Sequence, residues 1–455
     1  MLDPKTVRQD PERLKEIVRL RKVDPNLASV DRWLGLDGQR RELQSEIDGL
    51  NAGKKKIAAI GKSDPDAARQ RGIELRERLK SLEEKLGDLT REWNACMEWF
   101  PNWIDPDMPI GKGEDDNVEE SIWIPDRGYL GHDCLGRGFD SVPHMPKTPI
   151  HAKEAGFIPL HYAELGERLG GIDTLQGGKV SGSRFAYVLG DVALLQIAVQ
   201  RLLTDELVRR GYTPIIPPLL VRERSLFGTS HFPEGRDQVY EIRTDNVEEP
   251  LPLFLVGSSE PANFSYFMDR SLDEDALPLR LFAATPCFRS EAGSWGKDVR
   301  GIKRVHQFDK IEMNAVCTES QSGDIYEEFR AINEWLLQQL GLPYRIVDKC
   351  TGDAGYLASF RQRDVEVWMS GSGEFMEVMT DTHTSDYQAR RLNIRYRAAA
   401  GGLRYCHTVN DTGCAMGRML IAILDNYQQA DGSVLVPAVL RTTVGKDTLR
   451  PPADG

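Results

Sequence analysis

One short stretch of the sequence combines residue types that could bind a nucleotide. Residues 288–310 read FRSEAGSWGKDVRGIKRVHQFDK and place many cations in an otherwise acidic chain. Arg289 could neutralise a phosphate, and Phe308 could stack on a purine. We expect Arg289 and Glu291 to alternate on one strand face, and a loop at 292–301 to lead into a second strand that brings Phe308 opposite Arg289. Taken singly, such residues are more often a salt-bridged arginine and a core phenylalanine. A nucleotide site therefore needs support from other parts of the sequence.

Other nucleotide and metal signatures are missing from the sequence. There is no GxxxxGK[ST] loop and no GxGxxG that follows a strand, so ATP would have to bind in another way. The seven cysteines form no CxxC pair and do not stand beside histidines at zinc-finger spacing. We expect the cysteines to be reduced and structural, and we disfavour a metal cluster built from them.

Length, charge and hydropathy narrow the class of protein. A chain of 455 residues is long enough for about two to three domains. The net charge of −12 argues against binding nucleic acid through overall charge. No apolar run approaches the roughly 20 residues of a membrane helix, and the first residues are charged where a signal peptide would be apolar. These features predict a cytoplasmic protein without a membrane segment.

A heptad pattern predicts a long helical hairpin at about residues 34–98. Apolar side chains recur in steps of four and three, which is the spacing of a coiled-coil seam. They are Leu75, Leu79, Leu82, Leu86, Leu89, Trp93 and Cys96, and a weaker partner seam is Leu36, Leu43, Leu50 and Ile57. The turn residues GKSDPD at 61–66 separate the two seams. Two antiparallel helices of about 27 residues would form an arm on the order of 40 Å long.

The local charge reverses at the tip of this arm. Residues 54–80 carry nine lysines and arginines against four acidic residues. One interpretation is the solvated face of a coiled coil, and the other is a surface that contacts the phosphates of an RNA. The candidate RNA-binding residues are Lys54, Lys55, Lys56, Lys62, Arg69, Arg71, Arg76 and Arg78.

Composition changes after the hairpin and predicts a second domain. The stretch FPNWIDPDMPIGKGEDDN is rich in Pro, Gly and Asp and predicts a linker. We expect an N-terminal domain at 1–110 and a larger domain at 111–455. The larger domain mixes helical patterns such as 191–209 with apolar runs such as 212–221, without regular βαβ alternation. This mixture predicts an α+β fold on a largely antiparallel sheet.

Three segments of the larger domain resemble the motifs of class II aminoacyl-tRNA synthetases. Residues 281–313 resemble motif 2, residues 407–441 resemble motif 3 with Arg418 at the start of a helix, and residues 190–221 resemble the dimer-forming motif 1. Further segments are similar to seryl-tRNA synthetases in the same order, among them LDPKTVRQDPE, KVSGSRFAYVLGD, PPLLVRERSLFGT, QARRLNIRYR and HTVNDTG. The resemblance implies a class II catalytic domain on an antiparallel β-sheet flanked by helices, with an N-terminal antiparallel coiled-coil arm.

The resemblance also implies a reaction and its partners. A homodimer that depends on ATP and Mg²⁺ would join L-serine to the α-phosphate of ATP, giving seryl-adenylate and pyrophosphate. It would then transfer serine to tRNA(Ser), and to tRNA(Sec) where that tRNA exists. In the family the arm grips the tRNA and presents it to the site of the other subunit. Such chemistry needs positioning and charge neutralisation rather than a nucleophilic triad.

Residue roles follow from the same resemblance. Those toward ATP fall to Arg289 (α-phosphate), Ser290, Glu291 (adenine edge), Phe308 (adenine stacking), Glu377, Val378, Met379, Thr380 and Arg418 (γ-phosphate). Those toward serine fall to Ser258, Ser259, Glu260, Arg289, Glu312 and Thr412. Arg289 and Arg418 are the expected catalytic residues, and Glu377 and Thr380 fall where the family holds Mg²⁺.

The sequence departs from the family pattern mainly in the expected serine pocket. Ser258 replaces a threonine, Met379 replaces a polar residue, and Asp411 is expected to add a charge near the substrate. The stretch SFRQRD at 359–364 is one residue longer than its counterpart, and its arginines have no assigned role. These departures leave open a synthetase-like paralogue that binds RNA or activates an amino acid without charging tRNA. An enzyme that loads a carrier protein is disfavoured because it would lack the arm.

Overall fold

The computed structural model describes residues 1–60, 65–125, 157–243, 252–293, 300–355 and 357–452. The chain divides into two compact units, Met1–Trp103 and Ile104–Gly455. The domain boundary expected near residue 110 stays a prediction. Most of the turn expected at the tip of the arm, and almost all of the segment 132–157 for which the sequence indicated no element, lie outside the described residues.

The first unit is helical and contains the predicted arm. Its helices are α1 (Pro4–Gln9), α2 (Pro11–Leu20), α3 (Val30–Ile60) and α4 (Pro65–Met97). Helices α3 and α4 pack along the heptad seam, where Ile47, Leu79 and Leu82 are buried. An ion pair of 2.8 Å joins Arg32 to Glu92, near the start of α3 and the end of α4, as antiparallel helices require. The predicted antiparallel helical arm is confirmed.

The arm helices are longer than the heptad pattern predicted, at 31 and 33 residues. The additional residues of α4 precede Leu75, towards the tip, whereas most of those of α3 precede Leu36, at the base of the arm. At this base the packing side chains are aromatic instead of leucine. Trp33 is fully buried, and its ring lies 5.5 Å from that of Trp93 and 6.0 Å from that of Phe100. The buried carboxylate of Asp37 accepts a hydrogen bond of 3.2 Å from the indole nitrogen of Trp93. The predicted seam included Trp93 but neither Trp33 nor Phe100, which complete this base.

The second unit is a mixed α and β structure. Its longer strands are β1 (Val118–Trp123), β9 (Leu279–Phe288), β10 (Gln307–Cys317), β11 (Tyr344–Asp348), β12 (Arg361–Met369), β13 (Glu374–His383) and β16 (His407–Ala415). Its shorter strands are β2 (Ile172–Asp173), β3 (Tyr187–Val188), β4 (Thr213–Pro214), β5 (Leu220–Arg222), β6 (Glu241–Ile242), β7 (Leu253–Leu255), β8 (Ser271–Asp273), β14 (Arg395–Arg397), β15 (Leu403–Tyr405), β17 (Val434–Leu435) and β18 (Thr448–Leu449). Its helices are α5 (Tyr162–Arg168), α6 (Thr174–Ser181), α7 (Gly190–Arg209), α8 (Glu223–Gly228), α9 (Glu260–Ser265), α10 (Glu319–Leu340), α11 (Tyr387–Leu392), α12 (Met416–Tyr427) and α13 (Arg441–Val444).

One large sheet dominates this unit. Eight strands follow the order β1-β11-β12-β13-β16-β10-β9-β4. Every neighbouring pair is antiparallel except β4 with β9, which is parallel. The α+β fold on an antiparallel sheet flanked by helices is confirmed.

Two helices of this unit fix the central strands from the apolar side. Helix α10 begins with a capping box at Thr318 and packs on β13 and β16. Helix α12 packs on the sheet and is buried along its whole length except at Gly417 and Arg418. Because Arg418 is not buried like the rest of α12, its side chain can contact a group outside the hydrophobic core. No helix within the described ranges is both long and apolar enough to cross a membrane.

The two arginines of SFRQRD, which had no assigned role, belong to an ion-pair network. Arg361 donates to Asp348 at 2.7 Å, and Arg363 donates to Glu120 at 3.1 Å and to Glu327 at 2.6 Å. Because these carboxylates come from β11, β1 and α10, the network fastens the edge of the sheet to its covering helix.

A pair of buried carboxylates lies beside this network. Asp381 on β13 pairs directly with Asp411 on β16, and both side chains are almost completely buried. Asn333 of α10 donates to Asp411 at 2.6 Å, whereas neither carboxylate oxygen of Asp381 has a hydrogen-bond partner among the described residues. Burial raises the pKa of Asp381 well above its usual value, and the neighbouring Asp411 raises it further. Burial thus favours the protonated form of both carboxyl groups.

We expect Asp381→Asn to stabilise the protein at alkaline pH. Folding raises the pKa of this acid, so above about pH 4 the folded state binds more protons than the unfolded state. The free energy of unfolding therefore falls as the pH rises. The amide removes the charge but keeps the shape, which should raise the Tm at pH 8 by about 2–4 °C. Thermal unfolding at pH 5 and pH 8 measures this, and the variant's Tm should fall less between the two. A variant less stable than wild type at both pH values would contradict the raised pKa of Asp381.

Candidate active site

Polar side chains from the central strands meet at an open cavity of about 690 Å³. Arg289, Glu312, Glu377 and Thr412 are among its lining residues. A smaller cavity of about 100 Å³ shares Arg289, Glu377 and Thr412 with it and is also lined by Phe308 and Arg418. Residues predicted from motif 2, from motif 3 and from the segment 377–380 thus come together at one place.

Arg289 and Phe308 are neighbours, although not through the strand geometry that the sequence suggested. The guanidinium carbon of Arg289 lies 5.4 Å from the centroid of the Phe308 ring. Phe308 pairs with Cys287, so Arg289 reaches it diagonally from one residue beyond the strand. The expectation that Arg289 and Glu291 share a strand face is wrong. Strand β9 ends at Phe288, and Glu291 adopts a left-handed φ of 52° that turns it out of the ladder.

The two residues after Arg289 are held by different partners. The carboxylate of Glu291 accepts a hydrogen bond of 3.0 Å from Arg304 and lies 3.9 Å from Arg184. The hydroxyl of Ser290 donates to the carbonyl of Asp237. Glu291 lines both cavities, whereas Ser290 lines neither. Ser290 therefore anchors the loop, and Glu291 presents a carboxylate that two arginines orient.

The segment Ser258-Ser259-Glu260 contributes two of its three side chains to the larger cavity. Ser258 and Glu260 line the cavity, whereas Ser259 is fully buried and accepts a hydrogen bond from Asn263 at 3.3 Å. Glu260 accepts from Gln388 at 2.7 Å and lies 3.9 Å from the Nε2 atom of His231.

His231 is neutral at physiological pH. Burial, followed by the nearby cations Arg289 and Lys310, lowers its pKa to about 3. A neutral imidazole does not cancel the charge of the neighbouring Glu260 carboxylate. His231 therefore supplies no positive charge to the Glu260 carboxyl group, which lies at the wall of the cavity.

A second carboxylate of the cavity is paired with a lysine that the sequence analysis did not identify. The Nζ atom of Lys310 lies 2.5 Å from Glu312 and 3.2 Å from the hydroxyl of Thr412. Lys310 and Glu312 are two residues apart on β10, and Thr412 pairs with Glu312 across β16. Burial raises the pKa of Glu312, and the ammonium of Lys310 opposes that rise. In the sequence FDKIE (308–312), Lys310 lies two residues before Glu312, and residues two apart on a strand share a face. This spacing could have identified Lys310 as a partner of Glu312.

A bulge in the sheet brings Glu377 and Thr380 to the same face. Residues three apart on a regular strand point to opposite faces. Val365 pairs with Met379 but Glu366 pairs with Glu377, so Val378 is an extra residue on β13. The bulge restores the alignment that a shared site needs.

Glu377, Thr380 and Arg418 form one hydrogen-bonded group with two residues that the sequence analysis missed. Arg418 donates to a carboxylate oxygen of Glu377 at 2.9 Å, and the Thr380 hydroxyl lies 3.2 Å from that same oxygen. The missed residues are Asp364 on β12, which accepts from Thr380 at 2.9 Å, and Lys349, which donates to Asp364 at 2.7 Å. Burial and the neighbouring Glu377 raise the pKa of Asp364 to about 7. This cluster of hard oxygen donors fits the ligand preference of Mg²⁺.

Three residues that the sequence placed near the substrates are almost completely buried, although Val378 also lines the smaller cavity. Val378 and Met379 are almost fully buried in the hydrophobic core, so any contact of Met379 with ATP would have to involve its backbone. The expectation that Asp411 adds a charge near the substrate is wrong. Its neighbour Thr412 faces the cavity, and strand alternation directs Asp411 to the opposite side, against Asn333 of α10.

Comparisons with known proteins match both units of the chain to family models. Residues 1–104 match the family model of the seryl-tRNA synthetase N-terminal domain, and residues 240–427 match that of the tRNA synthetase class II core domain (G, H, P, S and T). The serine–tRNA ligase of Rubrobacter xylanophilus is 37% identical, and the match covers 99% of each chain. That of Dictyoglomus turgidum is also 37% identical over 99% of this chain and 100% of the relative. The chain belongs to the seryl-tRNA synthetase family.

Solved structures of seryl-tRNA synthetases share the whole fold. The Pyrococcus horikoshii seryl-tRNA synthetase complexed with ATP has a TM-score of 0.88 and 34% identity and covers 100% of both chains. The cytoplasmic serine–tRNA ligase of Naegleria fowleri in complex with AMP has a TM-score of 0.81 and 25% identity over 98% of this chain and 96% of that chain. The family resemblance inferred from the motifs is confirmed.

The basic residues of the arm form a separate candidate surface in the first unit, within the range of the seryl-tRNA synthetase N-terminal domain. Lys54, Arg69, Arg71, Arg76 and Arg78 are exposed. Arg78 is paired with Glu46 across the two helices at 2.6 Å. The side chains of Lys55, Lys56 and Lys62 lie outside the described part of the chain. Because these five side chains are exposed, they are accessible to a polyanion.

Proposed function

We propose that this chain is a serine–tRNA ligase that activates L-serine with ATP and transfers it to tRNA(Ser). The observation that carries the proposal is the contact of Arg289 with the Phe308 ring beside a cavity lined by Glu260 and Glu312, in a full-length member of the seryl-tRNA synthetase family. Relatives of the same fold bind ATP and AMP, which supports a nucleotide site here. Seryl-adenylate and pyrophosphate are the products of the first step.

The first step depends on the positions of two arginines. In the proposed mechanism the adenine stacks on Phe308, and the guanidinium of Arg289 contacts the α-phosphate, where negative charge develops during attack by the serine carboxylate. Arg418 leaves the otherwise buried α12 to reach the γ-phosphate and is oriented by Glu377 at 2.9 Å. Glu377 and Thr380 would hold Mg²⁺, which supplies further neutralisation of phosphate charge. These residues position the reactants, and none forms a covalent bond to serine.

Serine recognition in this proposal follows from buried polar groups. Glu260 and Glu312 supply carboxylates for the substrate ammonium, while Ser258 and Thr412 supply hydroxyls for hydrogen bonding. Because Lys310 lies 2.5 Å from Glu312, that lysine also fixes the carboxylate before substrate arrives. A pocket that hydrogen-bonds the serine hydroxyl leaves buried groups unpaired when alanine enters, which penalises alanine strongly.

The test of this function has two parts. Serine-dependent ATP–pyrophosphate exchange should be measured first, with alanine and threonine as competitors, followed by charging of tRNA(Ser) transcripts. Exchange and charging with serine would support the proposal. Absence of exchange with every amino acid would overturn it, and exchange without charging would favour an amino-acid-activating paralogue. A parallel transcript of tRNA(Sec) tests the further prediction that this tRNA is also a substrate.

We also propose a homodimer, supported by an apolar surface on helix α7. Ile197 and Val208 of α7 are 56% and 53% exposed, and Ile216, just beyond the edge strand β4, is 99% exposed. A cavity of about 500 Å³ lies next to Ile197. Uncovered side chains of this kind on the segment that resembles motif 1 are suited to a second copy of the chain.

The six described cysteines are free and buried, which supports the proposed cytoplasmic location.

Ile197→Glu should convert the protein to a monomer. A buried carboxylate at a two-fold interface is introduced twice, so the dissociation constant should rise by at least about 100-fold. Sedimentation velocity over about two decades of protein concentration, from about 0.5 to about 50 μM, would measure the change. Leu403→Glu is the matched control, since Leu403 is 52% exposed on the small sheet that contains β15. A wild type that sediments as a monomer throughout would refute the dimer.

A further inference from the structure

The hydroxyl of Thr380 lies between two carboxylates but has a single proton. Its Oγ1 atom is 2.9 Å from Oδ1 of Asp364 and 3.2 Å from Oε1 of Glu377. Only one of these oxygens can receive the proton. The acceptor of this hydrogen bond determines the direction of the lone pairs of the hydroxyl. It therefore also determines whether Thr380 can act as a ligand for a cation beside Glu377.

The surrounding charges favour Asp364 as the acceptor. Arg418 already donates to Oε1 of Glu377 at 2.9 Å, so that oxygen has a charged donor. The shorter of the two distances from Thr380 leads to Asp364. The other oxygen of Asp364 accepts from Lys349 at 2.7 Å, and the same ammonium lies 2.9 Å from Asp353. Both Asp364 oxygens therefore have partners in a side chain that is only 7% exposed.

We propose that Asp364, held by Lys349, is the positioning residue that accepts the hydrogen bond of the Thr380 hydroxyl and so turns the hydroxyl lone pairs toward Glu377 and the cavity. The inference rests on the proposed role of Glu377 and Thr380 as Mg²⁺ ligands. Lys349 also compensates the charge of Asp364, so Asp364 orients the metal site without binding the metal itself. Outer-shell partners of this type typically change metal affinity by about 10–100-fold when they are replaced.

Asp364→Asn reverses the direction of this hydrogen bond. Lysine can only donate, so the amide oxygen of the introduced asparagine would turn to Lys349 and its NH₂ group would face Thr380. The Thr380 hydroxyl would then accept from the amide and direct its own proton to Glu377. The lone pairs of the Thr380 hydroxyl and the carboxylate of Glu377 would then both take part in hydrogen bonds instead of binding a cation. The shape of the side chain at position 364 would stay the same.

The experiment measures Mn²⁺ binding by electron paramagnetic resonance on the full chain with saturating α,β-methylene ATP. We expect Asp364→Asn and Thr380→Val each to weaken Mn²⁺ binding by about tenfold or more. In the double variant the Asp364→Asn change should cost nothing further, because its effect requires the hydroxyl. The matched control is Asp381→Asn, which removes a buried carboxylate next to Thr380 on the opposite sheet face and should leave Mn²⁺ affinity unchanged.

Different outcomes overturn different steps. If the single losses multiply in the double variant, Asp364 binds the metal directly and the positioning role is wrong. Equal Mn²⁺ affinity of wild type and Asp364→Asn would also reject it. Thr380→Val that binds Mn²⁺ like wild type rejects the proposal even if Asp364→Asn does not fold. A wild type that exchanges pyrophosphate but binds no Mn²⁺ with the nucleotide rejects the metal role of Glu377 and Thr380 while leaving the ligase function intact.

Discussion

Replacing Arg289 with alanine should lower the kcat/KM of serine-dependent ATP–pyrophosphate exchange by about 10²–10³-fold, as removal of one preorganised donor to a developing anion typically does. The side chain is exposed at the cavity, and its Nε donates to the carbonyl of Gly257 at 3.3 Å. That hydrogen bond holds the guanidinium over Phe308 before ATP binds. The loss should appear mainly in kcat, because the charge of the α-phosphate grows in the transition state.

Two further variants separate this role from a general loss of positive charge. Arg289→Lys keeps the charge but lacks the planar fork, so we expect an intermediate loss. Arg397→Ala is the matched control, because Arg397 is 64% exposed and pairs with Asp273 at 3.1 Å, outside both cavities. Exchange by Arg289→Ala within tenfold of wild type would show that Arg289 does not contact the reacting phosphate.

Shortening the arm should abolish tRNA charging and spare amino-acid activation. Replacing residues 52–72 with a short glycine–serine turn keeps the seam pair Ile47 and Leu79 and the ion pair between Glu46 and Arg78. We expect exchange to stay within about twofold, since activation involves no RNA, and charging of tRNA(Ser) to fall by about 100-fold or more because the phosphates no longer meet the basic tip. Both activities are measured on the same preparation.

A milder variant tests whether charge or shape matters at the arm. Reversing Arg69, Arg71 and Arg76 to glutamate should weaken tRNA binding and lower the salt slope of log K by about one for each phosphate that is no longer neutralised. Arg41→Glu, on the exposed side of α3 nearer the base, is the matched control and should behave like wild type. Equal loss of exchange and charging in the shortened protein would mean that the arm supports the catalytic unit instead of the tRNA.

Features set by local spacing could be predicted well. The heptad repeat identified α3 and α4 because one seam of a helix pair repeats within a few residues, and Leu79 and Leu82 are buried where the pattern put them. Trp93 belonged to the predicted seam, but Trp33 and Phe100 were missed because they lie beyond the ends of the predicted seams. The motif 2 hairpin brought Arg289 to Phe308 as expected, since the two strands are consecutive in the chain.

Features that depend on strand register could not be predicted. Glu377 and Thr380 share a face only because Val378 is an extra residue against β12, and Asp411 faces away because it alternates with Thr412. Side-chain direction has a period of two, so one inserted residue reverses every later assignment. Nothing in a single sequence marks such an insertion.

By itself, the sequence determined the helical arm, the antiparallel α+β unit, the family and the proximity of Arg289 to Phe308, because each is encoded in contiguous or ordered segments. Only the tertiary structure decided which side chains surround those residues. Lys349, Asp364 and Thr380 lie on three different segments, and their hydrogen bonds exist because β12 and β13 align beside the segment after β11. The physical reason is that proton positions and ion pairs depend on distances of a few ångströms, which are fixed only after distant strands have paired.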